Sequence, residues 1–426
     1  MRGFSCLKSP RCLDAQHLAS SPHPEAIARS AAYAQTRRLI QRAQQQAFES
    51  HRRRVTLSGP SKEVSPQASG ASSLEANLEP GARFGPRLIL TFVRNLALQD
   101  YAIMGLAGFL TAKAFFQVHG PEAHLVREQT LGLFTAVFVT ILVTRGELLR
   151  EGQLRSVLYR VGTLGSMIGS YIALRPLLHA LNPPLLDLHL LAIDRALFGM
   201  TPSAWLDRFV TPSSVEWFAF FYYSYYALLA AYLFGTLLFD DGRRRYELLL
   251  GTALVAAIGH AGYTFVPGVG PYDCPGLTFQ HVLLGGVWWG RVEAAVTSAG
   301  AQLDIFPSLH TGFSLSCALH AIRYRRETPF VWVWRPTCFF VANIIIATVF
   351  LRWHYGIDLI AGGLLAFGSQ RVAIYAWHNE GSRTARTGKQ PVWEPVLPSD
   401  MDPEDRRWLM IVTLVQVAAL GLLLLG

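Results

Sequence analysis

The chain has 426 residues, 51% of them hydrophobic and 16% charged, with a formal net charge of +9. That is too apolar for an ordinary soluble protein, and the apolar residues come in runs near the ~20 that cross a bilayer as helix. The positive charge does not indicate nucleic acid: the basic residues concentrate in the N-terminal tail and in short loops between apolar runs, as on the cytoplasmic side of a membrane protein.

Residues 1–85 read as a basic cytosolic tail without stable order, with Ser/Pro/Gly-rich patches, a Gln run (Gln44 to Gln46) and Arg52-Arg53-Arg54. Residues 25–50 also admit a basic helix of a targeting or membrane-surface kind. From residue 98 onward nine membrane segments are expected, at roughly 98–118, 129–145, 157–181, 216–239, 246–266, 308–323, 330–351, 355–377 and 408–425. Arg145, Arg150 and Arg155, then Arg243-Arg244-Arg245, then Arg323, Arg325 and Arg326, then the basic stretch after Arg371 fall in alternate loops. With the tail in the cytoplasm, nine crossings put all of these loops inside, as the positive-inside rule requires.

The remaining loops, 119–128, 182–215, 267–307 and a tight turn at 352–354, then face outward. Within 185–210, Leu185, Leu188, Leu191, Ile193 and Leu197 recur at helical spacing with Asp187, Asp194 and Arg195 between them, which predicts an amphipathic helix on the membrane surface. Pro267-Gly-Val-Gly-Pro271 cannot continue a helix and marks a sharp exit from the fifth segment. The cysteines at 6, 12, 274, 317 and 338 show neither metal-ligand spacing nor a disulfide framework.

Two polar islands lie on this outer face, Asp304-Ile-Phe-Pro-Ser-Leu-His310 and Arg352-Trp-His-Tyr-Gly-Ile-Asp358. Ionisable groups at such positions are costly to keep and mark function by default. Ser308 and His310 open a helix, whose free amides and dipole favour an anion; alone, they would be a helix cap and a surface histidine. His354 and Asp358, four residues apart, share a helical face, so the acid can orient the imidazole and leave its other nitrogen nucleophilic. Alone, that pair would be a satisfied polar contact. Together on one face the islands suggest phosphoryl transfer through a phosphohistidine. Such a site needs cations, for which Arg352 and Arg175 are the candidates. The backbone amides of Gly268 and Gly270 are candidate phosphate donors. Asp304 and, more weakly, Tyr272 are candidates for a substrate headgroup. His260, His320 and Tyr222, Tyr223, Tyr225 and Tyr226 are expected to pack, and Asp100 and Lys113 to pair or snorkel.

Phe306-Pro-Ser-Leu-His-Thr-Gly312 and His354-Tyr-Gly-Ile-Asp-Leu-Ile-Ala-Gly362 resemble the second and third motifs of the type 2 phosphatidic acid phosphatase (PAP2) superfamily. The Phe-Pro-Ser-Leu-His form and Pro-Gly-Val-Gly-Pro-Tyr (267–272) look most like its inositolphosphotransferase branch, which includes the inositol phosphorylceramide synthases. The resemblance implies an all-α polytopic membrane enzyme. Its six-helix core would lie within 151–378, after two accessory helices in 86–150 and before a cytosolic linker (379–407) and one C-terminal helix (408–426). It further implies His354 as nucleophile, Asp358 as its orienting partner, His310 as the acid for the leaving group and Ser308 as a phosphate ligand, with no metal or organic cofactor and a lipid substrate drawn from the bilayer. Two family features are missing: there is no Lys-x6-Arg-Pro motif before Ser308, and Thr348 stands where the third motif carries Arg. The same chemistry with water as acceptor would make a lipid phosphate phosphatase, and an inherited fold without chemistry would make a lipid transporter or scaffold.

Overall fold

The computed structural model describes residues 92–387 apart from 94, 147, 150–151 and 240–241. The tail read as 1–85 and the ninth expected segment at 408–425 lie outside these residues; of the linker expected at 379–407, residues 379–387 continue the last described helix, which runs to Thr387, and the remainder lies outside. The described residues fall in one compact unit, and the elements they form are helices: α1 (Leu98–Gln117), α2 (Ala123–Arg145), α3 (Gln153–Leu181), α4 (Asp187–Phe198), α5 (Pro202–Leu206), a 3-10 turn (Asp207–Phe209), α6 (Pro212–Phe239), α7 (Gly242–Tyr263), α8 (Val287–Ala299), α9 (Leu309–Arg323), α10 (Phe330–Phe350) and α11 (Gly356–Thr387). The first eight expected segments are therefore all helical.

Five helices, α2, α3, α6, α10 and α11, are long and apolar enough to cross a membrane. The others expected to span are more polar or shorter for a structural reason. Asp100 of α1 is wholly buried beside Arg145 (2.7 Å) and accepts from the Tyr159 hydroxyl (2.5 Å), which joins α1, α2 and α3 at one end. Lys113 lies over the Phe265 ring, 4.6 Å from its centroid. Glu247 of α7 is buried and takes Arg243 (2.6 Å), Arg323 (2.6 Å) and the Tyr324 hydroxyl (2.9 Å). A buried charge is tolerable only when paired in this way.

The fifteen-residue α9 is the central rod, packed against α6, α7, α10 and α11. Helices, not lipid, surround it, so it can carry Ser314, Ser316 and His320 in its interior. Ser316 bonds back to the Gly312 carbonyl (2.9 Å) and His320 Nε2 meets the Arg244 carbonyl (3.1 Å). His260 packs likewise, its Nδ1 2.9 Å from Ser170 Oγ.

The predicted surface helix exists as α4, broken at Gly199, which takes the left-handed conformation. Its faces are distributed otherwise than expected. Asp187 and Asp194 are 3% and 0% exposed, while Leu188, Ile193 and Leu197 point outward. An amphipathic helix at a bilayer can keep its apolar face outside and its acids against the protein. The outer loop expected at 267–307 contains a helix, α8, in which Val287, Trp288, Val292, Ala295 and Val296 recur at helical spacing.

Candidate active site

The polar end of the bundle is built by carboxylates that satisfy backbone amides of other elements. Glu216 of α6 accepts from the amides of Gly286 (2.5 Å), Trp288 (3.1 Å) and Trp289 (2.9 Å), which caps α8. Asp194 accepts from Gly356 and Ile357 (2.9 Å each) at the start of α11. Asp187 accepts from Val269 (3.0 Å), Gly270 (2.9 Å) and the Tyr355 hydroxyl (3.0 Å). Asp207 accepts from the Gln280 amide (2.8 Å) and from Arg352 (2.7 Å). The first turn of a helix leaves such amides without partners, which Glu216 and Asp194 supply, while Asp187 and Asp207 do the same for loop amides; each acid removes a desolvation cost.

The two islands meet. α10 ends at Phe350 and the chain reverses through Arg352, whose φ is +66°, with the Trp353 and His354 amides donating to the Thr348 carbonyl (2.9 and 3.1 Å). Ser308 is the N-cap of α9, its Oγ accepting from the Thr311 amide (3.3 Å), and its own amide donates to the Asp358 carbonyl (3.0 Å). Pro307 therefore precedes the cap and is not the first helical residue. The rings of His310 and His354 have centroids 6.1 Å apart. His354 Nδ1 and Asp358 Oδ2 are 3.4 Å apart, a charge contact longer than a good hydrogen bond, while Asp358 Oδ2 accepts the Tyr355 amide at 2.8 Å.

Both histidines face a cavity of about 510 Å3. Its walls include Tyr171 of α3, Tyr222 and Tyr226 of α6, Glu293 of α8, Asp304 and Trp353. His310 lies between Tyr222 and Tyr225, each ring centroid 4.4 Å away, so the tyrosines expected only to pack do so on a site residue. Asp304, expected to meet a headgroup, lines the cavity and accepts from the Tyr171 hydroxyl (2.9 Å). Burial pushes its carboxyl above the ordinary range, and the Tyr171 bond opposes that shift. Tyr272 also lines it, stacked on Trp353 at 5.1 Å. His179 and Glu293 were not singled out from sequence. The first sits at the end of a spanning helix and the second on the unrecognised α8.

The expected phosphate ligands are placed elsewhere. Arg352 turns away from the cavity: its guanidinium donates to Asp207 (2.7 Å) and to the His281 carbonyl (2.6 Å) and lies 3.8 Å over the Phe279 ring. Burial pushes the Asp207 carboxyl up, but the Gln280 amide, the His281 ring and the Arg352 charge together hold it below its usual range. Arg175 donates to the Ser298 carbonyl of α8. The Gly268 amide faces the Leu303 carbonyl (3.4 Å) and the Gly270 amide is taken by Asp187, so neither is free for phosphate. Ser308 is wholly buried and serves as a cap. The cavity wall carries three histidines, three acids (Asp273, Glu293, Asp304) and several tyrosines, and neither lysine nor arginine is among its described lining residues.

No curated protein and no solved structure matches the chain. Residues 188–372, from α4 through the first half of α11, match the family model described as PAP2 superfamily, and the match supports placing this segment in that superfamily.

Proposed function

We propose that the protein is a membrane-embedded enzyme that cleaves a lipid phosphoric ester through a covalent intermediate on His354. The observation that carries this is the meeting of His310 and His354 at one cavity from positions more than forty residues apart in sequence, with Asp358 beside the His354 ring. With Asp358 beside Nδ1, the imidazole is oriented so that Nε2 attacks phosphorus. The N–P bond forms as the bond from phosphorus to the lipid alcohol breaks, and His310, whose buried Nε2 has no partner among the described residues, protonates that leaving oxygen. In the second step an acceptor hydroxyl gives its proton to His310 and attacks phosphorus, and the N–P bond breaks. The gap between His354 and Asp358 is compatible with these roles, since catalytic hydrogen bonds tighten in the substrate complex.

The acceptor is read as an alcohol, which makes the enzyme a phosphotransferase most like the inositolphosphotransferases. Three carboxylates, with neither lysine nor arginine among the described residues of the wall, suit a diester with one negative charge and a hydroxyl-rich headgroup better than a doubly charged monoester. Asp304 and Tyr272, which line the cavity, are read as acceptors of hydrogen bonds from such a headgroup. The alternation of basic loops supports reading the tail as cytoplasmic and the cavity as opening on the extracytoplasmic face. Purified protein given labelled phosphatidylinositol, with and without ceramide or diacylglycerol, should form a new phospholipid by mass spectrometry only when the acceptor lipid is added. Release of water-soluble inositol phosphate instead would mean that water is the acceptor and point to a hydrolase. His354→Ala should abolish turnover; a variant that keeps its activity would end this reading, as would unchanged lipid flux for a transporter.

A further inference from the structure

We propose that Asp194 is a positioning residue, a carboxylate on α4 that fixes the start of α11 and through it the placement of His354. This rests on His354 being the nucleophile. Gly356 and Ile357, the first two residues of α11, need acceptors for their amides, and the residue before them is Tyr355, whose side chain offers no cap. Asp194 supplies both from another helix: Oδ2 takes Gly356 and Oδ1 takes Ile357, each at 2.9 Å, with the carboxylate wholly buried. Negative charge there also suits the helix dipole.

A second grip lies seven residues earlier on the same face of α4. Asp187 holds the Gly270 and Val269 amides and the Tyr355 hydroxyl. The loop it holds carries Tyr272, whose amide donates to the Arg352 carbonyl (2.8 Å). The segment 352–356 is thus held on both sides of His354 by one helix. Neither acid lines the cavity, so their effect on chemistry runs through the turn.

Asparagine at 194 keeps the side-chain shape and one carbonyl oxygen, but presents an NH2 group to an amide that needs an acceptor. Asp194→Asn and unaltered full-length protein are compared in detergent micelles by hydrogen exchange of a peptide covering 353–360 and by kinetics on phosphatidylinositol with ceramide. The expected result is about tenfold faster exchange in that peptide with unchanged exchange in α6. It is accompanied by a fall in kcat of about tenfold or more and a KM within about twofold, because misplacing a nucleophile slows the step without weakening binding. Unchanged exchange at 353–360 overturns the proposal. So does faster exchange with kcat retained, or a loss of kcat that only follows the unfolded fraction. If the unaltered protein turns over no phosphatidylinositol, the functional reading fails by itself, and the exchange comparison still supports or overturns the grip of Asp194 on this turn.

Discussion

At the level of single residues, His310 and His354 differ in what surrounds them. His354 is 4% exposed, has Asp358 beside Nδ1 and sits on a turn tied down by backbone bonds. His310 is held between aromatic rings, with its Nε2 unpartnered among the described residues. That contrast suits a nucleophile that needs orientation and an acid that must reach a moving proton. His310→Ala is expected to lower kcat by roughly 10²–10⁴, the usual range for losing a general acid. A donor lipid with a more acidic leaving alcohol should restore part of the rate, and steady-state kinetics on matched donors checks this. Equal loss on both donors would assign His310 a different role.

At the level of elements, the site depends on how closely α11 approaches the cap of α9. A Cβ built on Gly362 would stand 2.3 Å from the Ser308 carbonyl oxygen, and backbone cannot swing aside as a side chain can. Gly362→Ala is expected to cost about 1–3 kcal/mol in stability and to push Ser308 and the Asp358 backbone apart. Thermal unfolding in detergent checks the first effect and turnover the second; a variant with normal values of both would show that this contact is not needed. Gly270 plays the matching part on the other side, where φ is +84° and a Cβ would meet the Trp353 carbonyl oxygen at 2.6 Å. Gly270 is therefore present for shape, and its amide, with that of Val269, serves Asp187.

At the level of the whole molecule, what was legible in the sequence was what periodicity and hydropathy record. Eight helices, the surface position of α4 and the turn at 352–354 all follow from runs of apolar residues and their interruptions. Partner choice was not legible. Arg352 looks like a phosphate ligand by its place next to His354, yet Asp207, 145 residues away, takes it. Asp187 and Asp194 looked like the wet side of a surface helix because nothing local shows that amides at 269–270 and 356–357 would need acceptors. α8 was not legible from hydropathy because its thirteen residues are too few to cross a bilayer and leave no membrane-length apolar run. The proximity of the two histidines was legible for the opposite reason, since loop charge alone predicts that both islands share one end of the bundle.

The central claim is the covalent intermediate. Protein mixed with headgroup-labelled phosphatidylinositol, quenched within milliseconds at alkaline pH and digested, should yield a labelled peptide containing His354, with the adduct retaining the headgroup as transfer requires. Label on any other residue, or turnover with no label on the protein, would contradict the account.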